Sequence, residues 1–217
     1  MKHLFSAVLF DLDGTLIDSL YDIAHAMNRT LERFRYPTYP LEDYNYFVGN
    51  GLKNLVQKCL PEDKKEKIYV EETLAAMMKE YEQSCIHKTV LYDGIPELLD
   101  ALTANHYKLA VLSNKADPLT QKIAKQLLSR WKFEIILGAN DNFPRKPAPD
   151  AALFIANKMQ LAPENILYLG DTNIDMQTAH AAGMYPVGVS WGFRPRKELE
   201  ENGAKFIIDY PTDLLKK

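Results

Sequence analysis

Two aspartates two residues apart, Asp11 and Asp13, close an apolar run from Leu4 to Phe10 that only Ser6 interrupts. Gly14 follows, a residue suited to a turn. An apolar strand ending in Asp-x-Asp-Gly exposes two acids at the carboxyl edge of a sheet, where open α/β folds bind their ligands. Carboxylates so close repel unless a cation or a proton intervenes. The pair therefore suggests a metal site with one carboxylate left for other work. Three later stretches add chemistry of a compatible kind. Ser113-Asn114 follows the strand-like run Lys108–Ser113, Lys146-Pro147 lies in a loop, and Asp171 follows the run Ile166–Leu169 with Asp175 four residues on. In a parallel sheet all strand ends face one way, so residues distant in sequence can share one pocket. Carboxylate oxygens in that number favour Mg2+. A hydroxyl, backbone N–H groups and an ammonium suit a phosphate dianion. Together they describe phosphoryl transfer, whose catalysis is mostly positioning and charge neutralisation. Each stretch alone has a plainer reading: a turn, a helix cap, a solvated lysine, an acid at a helix start. Their arrival in order, each at a strand end or in a loop, is what argues for a site.

The elements that must position these residues follow from periodicity. Leu4–Phe10 has the short continuous apolar character of a buried parallel strand. Leu20, Ile23, Ala24, Met27, Leu31 and Phe34 then repeat at helical steps, with Ser19 placed to cap and Asp22 as its box partner. Gly49-Asn50-Gly51 leads into a helix carrying Leu52, Leu55, Val56 and Cys59. A further helix is expected from Glu62 to about Cys85, with Ile68, Leu74, Met77, Met78 and Tyr81 inside. From Val90 the pattern alternates. Helices are expected at 95–105, 118–128, 149–159, 174–182 and 197–201, and strands at 108–113, 133–137, 166–169, 185–189 and 206–208. Strands alternating with helices predict an α/β fold with a doubly wound parallel sheet. The domains are then 1–18 with 91–217 as the core and 19–90 as an all-helical insertion, with hinges near Leu16–Ser19 and His87–Asp93.

The four motifs, in this order, resemble those of the haloacid dehalogenase-like phosphatase superfamily. Asp11-Leu12-Asp13-Gly14-Thr15-Leu16-Ile17-Asp18-Ser19 is similar to its first motif, Ser113-Asn114 to the second, Lys146-Pro147 to the third, and Gly170-Asp171-Thr172-Asn173-Ile174-Asp175 to the fourth. Phe47-Val48-Gly49-Asn50-Gly51-Leu52, Ser113-Asn114-Lys115, Trp191-Gly192-Phe193-Arg194 and Asp209-Tyr210-Pro211 resemble stretches of its phosphoglycolate phosphatases. The resemblance implies a Rossmann-like catalytic core with a small helical cap inserted after the first strand. It implies that Asp11 is the nucleophile, forming an aspartyl-phosphate, and that Asp13 is the acid and base. Mg2+ would be held by Asp11, the Asp13 carbonyl and Asp171, with Asp175 supporting the metal or pairing with Lys146. Ser113, Asn114 and Lys146 would hold the phosphoryl group. Asp13 itself argues for a phosphoester, since a dehalogenase has no use for an acid there. Thr15 resembles the hydrolytic members rather than the sugar phosphomutases. The implied activity is hydrolysis of a small phosphomonoester, 2-phosphoglycolate first. The alternatives are a sugar phosphate, a nucleotide or pyrophosphate as substrate, a β-phosphoglucomutase-like isomerase, or a non-catalytic phosphate binder. Substrate choice falls to the cap, where Asn50 and Lys53 are candidate contacts.

The chain's 217 residues suffice for a core carrying a smaller domain. A net charge of −3 offers no broad basic face for nucleic acid. No stretch approaches the length of a membrane span. The first apolar run ends in Asp11 rather than a small-residue cleavage site, so it is read as a strand. Cys59 and Cys85 form no C-x-x-C pattern and are expected as reduced thiols of a cytoplasmic protein. A monomer or homodimer is expected. His3, His25, His87, His106 and His180 show no ligand spacing. Tyr36, Tyr39, Tyr44, Tyr46 and Phe47 are expected as packing for the insertion.

Overall fold

The computed structural model describes residues 4–216; His3 lies outside the described residues. The chain divides into two compact units, one comprising Ser19–Val90 and the other the segments before and after it.

In the order of the chain, the strands are β1 (Ala7–Phe10), β2 (Ile17–Asp18), β3 (Val90–Leu91), β4 (Lys108–Ala116), β5 (Ile135–Ala139), β6 (Ile166–Gly170), β7 (Tyr185–Val189) and β8 (Phe206–Ile208). The α-helices are α1 (Leu20–Arg33), α2 (Tyr44–Phe47), α3 (Gly51–Cys59), α4 (Lys67–Ser84), α5 (Ile95–Ala104), α6 (Asp117–Leu127), α7 (Asp150–Lys158), α8 (Asn173–Ala181) and α9 (Arg196–Glu201).

The larger unit is an α/β fold around a six-stranded sheet of order β5-β4-β1-β6-β7-β8. Every pairing in it is parallel. Its strands are apolar on both faces because helices cover both. Ala7 and Leu9 of β1 join Ala110, Leu112, Ile166 and Tyr168 on one face, packed with Ala152 and Ile155 of α7 and Ala179 of α8. Val8 and Phe10 point the other way and are equally buried. Register fixes the site. Phe10 pairs with Val111 on one side and Leu169 on the other, so the ladders of β1 with β4 and with β6 end at the same level. Each then delivers its polar residues to the same edge.

The smaller unit is helical. The α1 residues Ile23, Met27, Thr30 and Leu31 are buried, and α1 packs on α4. Several local expectations change. Ser19 makes no side-chain cap of α1. Asp22 instead accepts from the N–H groups of Lys88 and Thr89 and from the Thr89 hydroxyl, tying the end of the unit to its start. The helix expected from Glu62 is a 3-10 turn at Glu62–Lys64, followed by α4 after an extended Glu66. The buried stripe of α4 runs through Val70, Thr73, Met77 and Tyr81. Ile68 falls two residues outside that stripe and is 66% exposed. Tyr44 and Phe47 pack edge to face, as do Tyr39 and Phe47, whereas Tyr46 points outward. In the larger unit β4 runs three residues past its expected end, through Ala116. Ser113-Asn114 therefore lies inside a strand and caps no helix.

Candidate active site

β1 ends at Phe10, and the backbone then folds sharply. The Leu16 and Ile17 N–H groups both donate to the Leu12 carbonyl, and Gly14 N–H donates to Ile17. Strand alternation stops here, so Asp11 and Asp13 are not bound to one side. Each meets its own lysine. Lys146 Nζ lies 2.7 Å from Asp11 Oδ1, and Lys115 Nζ lies 2.5 Å from Asp13 Oδ1. Gly14, at φ +89°, serves both the turn and the packing: a Cβ there would stand 2.3 Å from Asp171 Oδ2.

Lys146 also donates to Asp175 Oδ1 at 2.7 Å and to the Leu112 carbonyl at 3.1 Å. An ammonium has three protons, and three acceptors face this one. Its loop is held by Asn114, whose side-chain carbonyl accepts from the Lys146 N–H and whose amide donates to the Lys146 carbonyl. Asp175 serves two purposes. Its other oxygen accepts from the N–H and hydroxyl of Thr172, completing a capping box that starts α8. Asp171 accepts from the Thr15 hydroxyl at 3.1 Å and from the Phe193 N–H at 2.8 Å.

Oxygens of Asp11, Asp171 and Asp175 lie within 4.8 Å of one another, all buried. Three carboxylates there share one ammonium, which leaves two negative charges unbalanced. The carboxyl groups register the imbalance. Burial lifts Asp11 well above the ordinary carboxylate value; Asp175 adds to the rise, Lys146 opposes it and Asp171 adds again. Burial, then Asp175, pushes Asp171 up to about 7 against the hydrogen bonds from Phe193 and Thr15. Burial alone would lower Lys146, but Asp11 and Asp175 outweigh it and hold the ammonium well above its usual value. A buried group of hard oxygens lacking two positive charges fits a divalent cation such as Mg2+.

Asp11, Asp171, Asp175 and Lys146 thus form one buried cluster. Asn114 is bonded to the lysine loop, and Ser113, also buried, accepts from the Lys115 N–H. Asp13 stands on the loop after Asp11 with its own partner. Asn50 and Lys53 belong to the other unit and are exposed, Asn50 between Gly49 and Gly51 at positive φ and Lys53 in the first turn of α3. Sequence reasoning missed the bonds of Thr15, Phe193 and Lys115. All three lie in stretches quoted for the resemblance, but no local pattern says which carboxylate each would meet.

A family model described as "Haloacid dehalogenase-like hydrolase" matches residues 8–189. A phosphoglycolate phosphatase of Aquifex aeolicus is 34% identical over 209 residues, covering 96% of this chain and 94% of the relative. One from Colwellia psychrerythraea is 30% identical, with the same coverage of both chains. The solved structure of a haloacid dehalogenase-like family hydrolase from Streptococcus pneumoniae superposes with a TM-score of 0.87 at 28% identity, over 98% of this chain and 97% of that one. The sheet order, the extent of the family match and the coverage agree, and the chain belongs to the haloacid dehalogenase-like hydrolases.

Proposed function

We infer that the protein is a Mg2+-dependent phosphatase acting on a small phosphomonoester through an aspartyl-phosphate, with 2-phosphoglycolate the leading substrate. The observation that carries the reading is the buried cluster itself: Asp11 at the end of β1, bonded to Lys146, with Asp171 and Asp175 leaving it two positive charges short. The substrate is taken from the Aquifex and Colwellia relatives, which carry that name across nearly their whole length.

In this mechanism an Asp11 oxygen attacks phosphorus. The bond to the ester oxygen breaks, and an acyl phosphate forms on Asp11. Asp13 gives its proton to the leaving alkoxide. It then takes one from the water that attacks phosphorus, which frees phosphate and restores Asp11. Asp11, the Asp13 carbonyl and Asp171 would hold Mg2+, which would supply positive charge against the repulsion between an anionic carboxylate and a phosphate dianion. Ser113, Asn114 and Lys146 bind the phosphoryl oxygens. Since the Lys146 protons already meet three acceptors, its contact with phosphate replaces one of those bonds. Asp175 holds Lys146 and fixes the start of α8 rather than meeting the substrate. Thr15 and Phe193 orient Asp171. The unit 19–90 acts as the cap, and Asn50 and Lys53 at the start of α3 choose the leaving group. A cytoplasmic setting belongs to the same reading, supported by Cys59 and Cys85 standing as separate buried thiols.

The test is phosphate release with Mg2+ over a panel of phosphometabolites, ranked by kcat/KM, with Asp11→Asn alongside. The reading expects 2-phosphoglycolate at the top and no release by Asp11→Asn. Release by Asp11→Asn at the wild-type rate would remove Asp11 as nucleophile. Equal low values on every compound would replace phosphoglycolate by a generalist activity.

A further inference from the structure

We propose that Lys115 is a positioning residue that acts through Asp13, holding the acid–base carboxylate by one oxygen in the attitude its proton transfers require. The proposal rests on the phosphatase reading above and deepens it. Lys115 is buried, its side chain 4% exposed, and a lysine is seldom buried without an anionic partner. That partner is Asp13 Oδ1 at 2.5 Å.

The backbone around Lys115 is built to aim it. The ladder between β4 and β5 is regular up to Leu112 and resumes at Ala116 with its register shifted. Such an irregularity re-aims side chains at a sheet edge. Within it the Lys115 N–H donates to the Ser113 hydroxyl at 3.1 Å, and the Lys115 carbonyl accepts from the Thr120 hydroxyl at 3.2 Å. Both backbone groups of Lys115 therefore end on hydroxyls. Its four-carbon stem crosses from β4 to the loop after β1 and meets a carboxylate 102 residues away in sequence. Asp13 has left the β1 ladder, so the strand no longer dictates its side-chain direction. The ion pair supplies that direction. A proton-transfer group must stand within hydrogen-bond reach of its target, and small misplacement is costly in rate.

The experiment is a double-mutant cycle on the full chain. Lys115→Met, Asp13→Asn and the double variant are assayed with Mg2+ on 2-phosphoglycolate and on p-nitrophenyl phosphate, and Lys115→Arg and Lys115→Gln are included. Thermal unfolding of every variant in EDTA gives a readout independent of turnover. Lys115→Met is expected to lower kcat about 100-fold, the lower end of what a misplaced general acid–base group costs. KM should stay within about 3-fold, since a group that acts only in the transition state leaves ground-state binding alone. The double variant should be no slower than Asp13→Asn, because residues acting as a unit are not additive. Lys115→Arg should recover part of the loss and Lys115→Gln, nearly as long but neutral, should not. Multiplicative losses in the double variant would overturn the proposal, as would a loss confined to KM, which would make Lys115 a substrate contact. Coupling in unfolding without coupling in turnover would reduce the ion pair to a structural one and also overturn it. Turnover by wild type and its loss in Asp11→Asn test the phosphatase reading separately.

Discussion

Each unit of this protein buries an aspartate that binds distant chain, and the two are treated differently. In the smaller unit Asp22, 2% exposed, accepts four hydrogen bonds from Lys88 and Thr89. Among the described residues it belongs to no group of three or more side chains that could hold a metal ion. In the larger unit Asp11, Asp171 and Asp175 crowd together around one lysine, and burial drives two of them upward. A buried carboxylate satisfied by backbone N–H groups is a structural device. A cluster left short of positive charge holds repulsion that a proton or a cation relieves, and such clusters concentrate at functional sites. The contrast separates fold from function without any appeal to the family.

Removing the one cation at the crowded site is the harshest way to break this contrast. Lys146→Met takes from three buried carboxylates the ammonium that pairs with Asp11 and Asp175. Loss of one partner from a buried ion pair costs about 3–5 kcal/mol. Phosphate release should fall by about 1000-fold or more, because a pre-organised donor on the phosphoryl group is lost together with the group that holds Asp11. Urea unfolding in EDTA and turnover with Mg2+ measure the two losses. Full activity in the variant would show that the lysine only balances charge.

At the satisfied carboxylate the expected damage is to stability. Asp22→Ala strands two backbone N–H groups and the Thr89 hydroxyl. The cost should be about 2–4 kcal/mol, at roughly 1–3 kcal/mol for each donor left buried and less where water can enter. Asp22→Asn keeps an acceptor and should lose about half as much. A change below about 0.5 kcal/mol in urea unfolding of Asp22→Ala would mean that the tie from α1 to Lys88 and Thr89 does not hold the smaller unit together.

The same contrast decides what was legible in the sequence. Strand ends are readable because an apolar run stops at a charge; so Asp11, Asp13 and Asp171 could be placed at one sheet edge, and the parallel α/β fold followed from alternation. The run around Ser113 misled because a hydroxyl and an amide after apolar residues read as the end of a strand. Here they continue it through Ala116, past a shift in register that only the partner strand reveals. Asp22 misled for a related reason. Its spacing from Ser19 fits a capping box, but its partners lie 66 and 67 residues onward. Local spacing forecasts local bonds, and a carboxylate that bonds far along the chain leaves no local trace. The pairing of Lys115 with Asp13 escaped in the same way, whereas the pairing of Lys146 with Asp175 was among the roles the resemblance implied.

If the crowded cluster stores repulsion, neutralising one member should stabilise the chain when no divalent cation is present. Asp171→Asn is the sharper choice because Asp175 is committed to Lys146 and Thr172. Asn keeps one acceptor for the two donors, Thr15 and Phe193, so one hydrogen bond of about 1 kcal/mol is forfeited. Against this stands the cost of ionising a carboxyl whose pKa is raised to about 7, which at pH 8 exceeds that loss. The variant should gain about 1–2 kcal/mol in EDTA and should lose the extra stability that Mg2+ gives the wild type. A variant less stable than wild type in EDTA would mean that the cluster is at ease without a cation.

The mildest test concerns the thiol and phenols of the smaller unit, which are neutral when protonated. Burial pushes the Cys59 thiol from 9.0 up to about 12, against a hydrogen bond from Tyr44 and the charge of Lys58, and burial likewise raises Tyr39 and Tyr44. A thiol whose folded pKa is raised holds its proton more tightly in the folded chain. Its contribution to stability is complete below about pH 9 and is lost as pH climbs towards 12. Between pH 8 and pH 10 the loss is about 1 kcal/mol, since only the unfolded thiol ionises over that range. Cys59→Ala removes the titration at the cost of a small cavity. Its Tm should lie lower at pH 8 but fall less steeply towards pH 10 than that of wild type. Parallel slopes would show that Cys59 ionises in the folded chain over the same range as in the unfolded one.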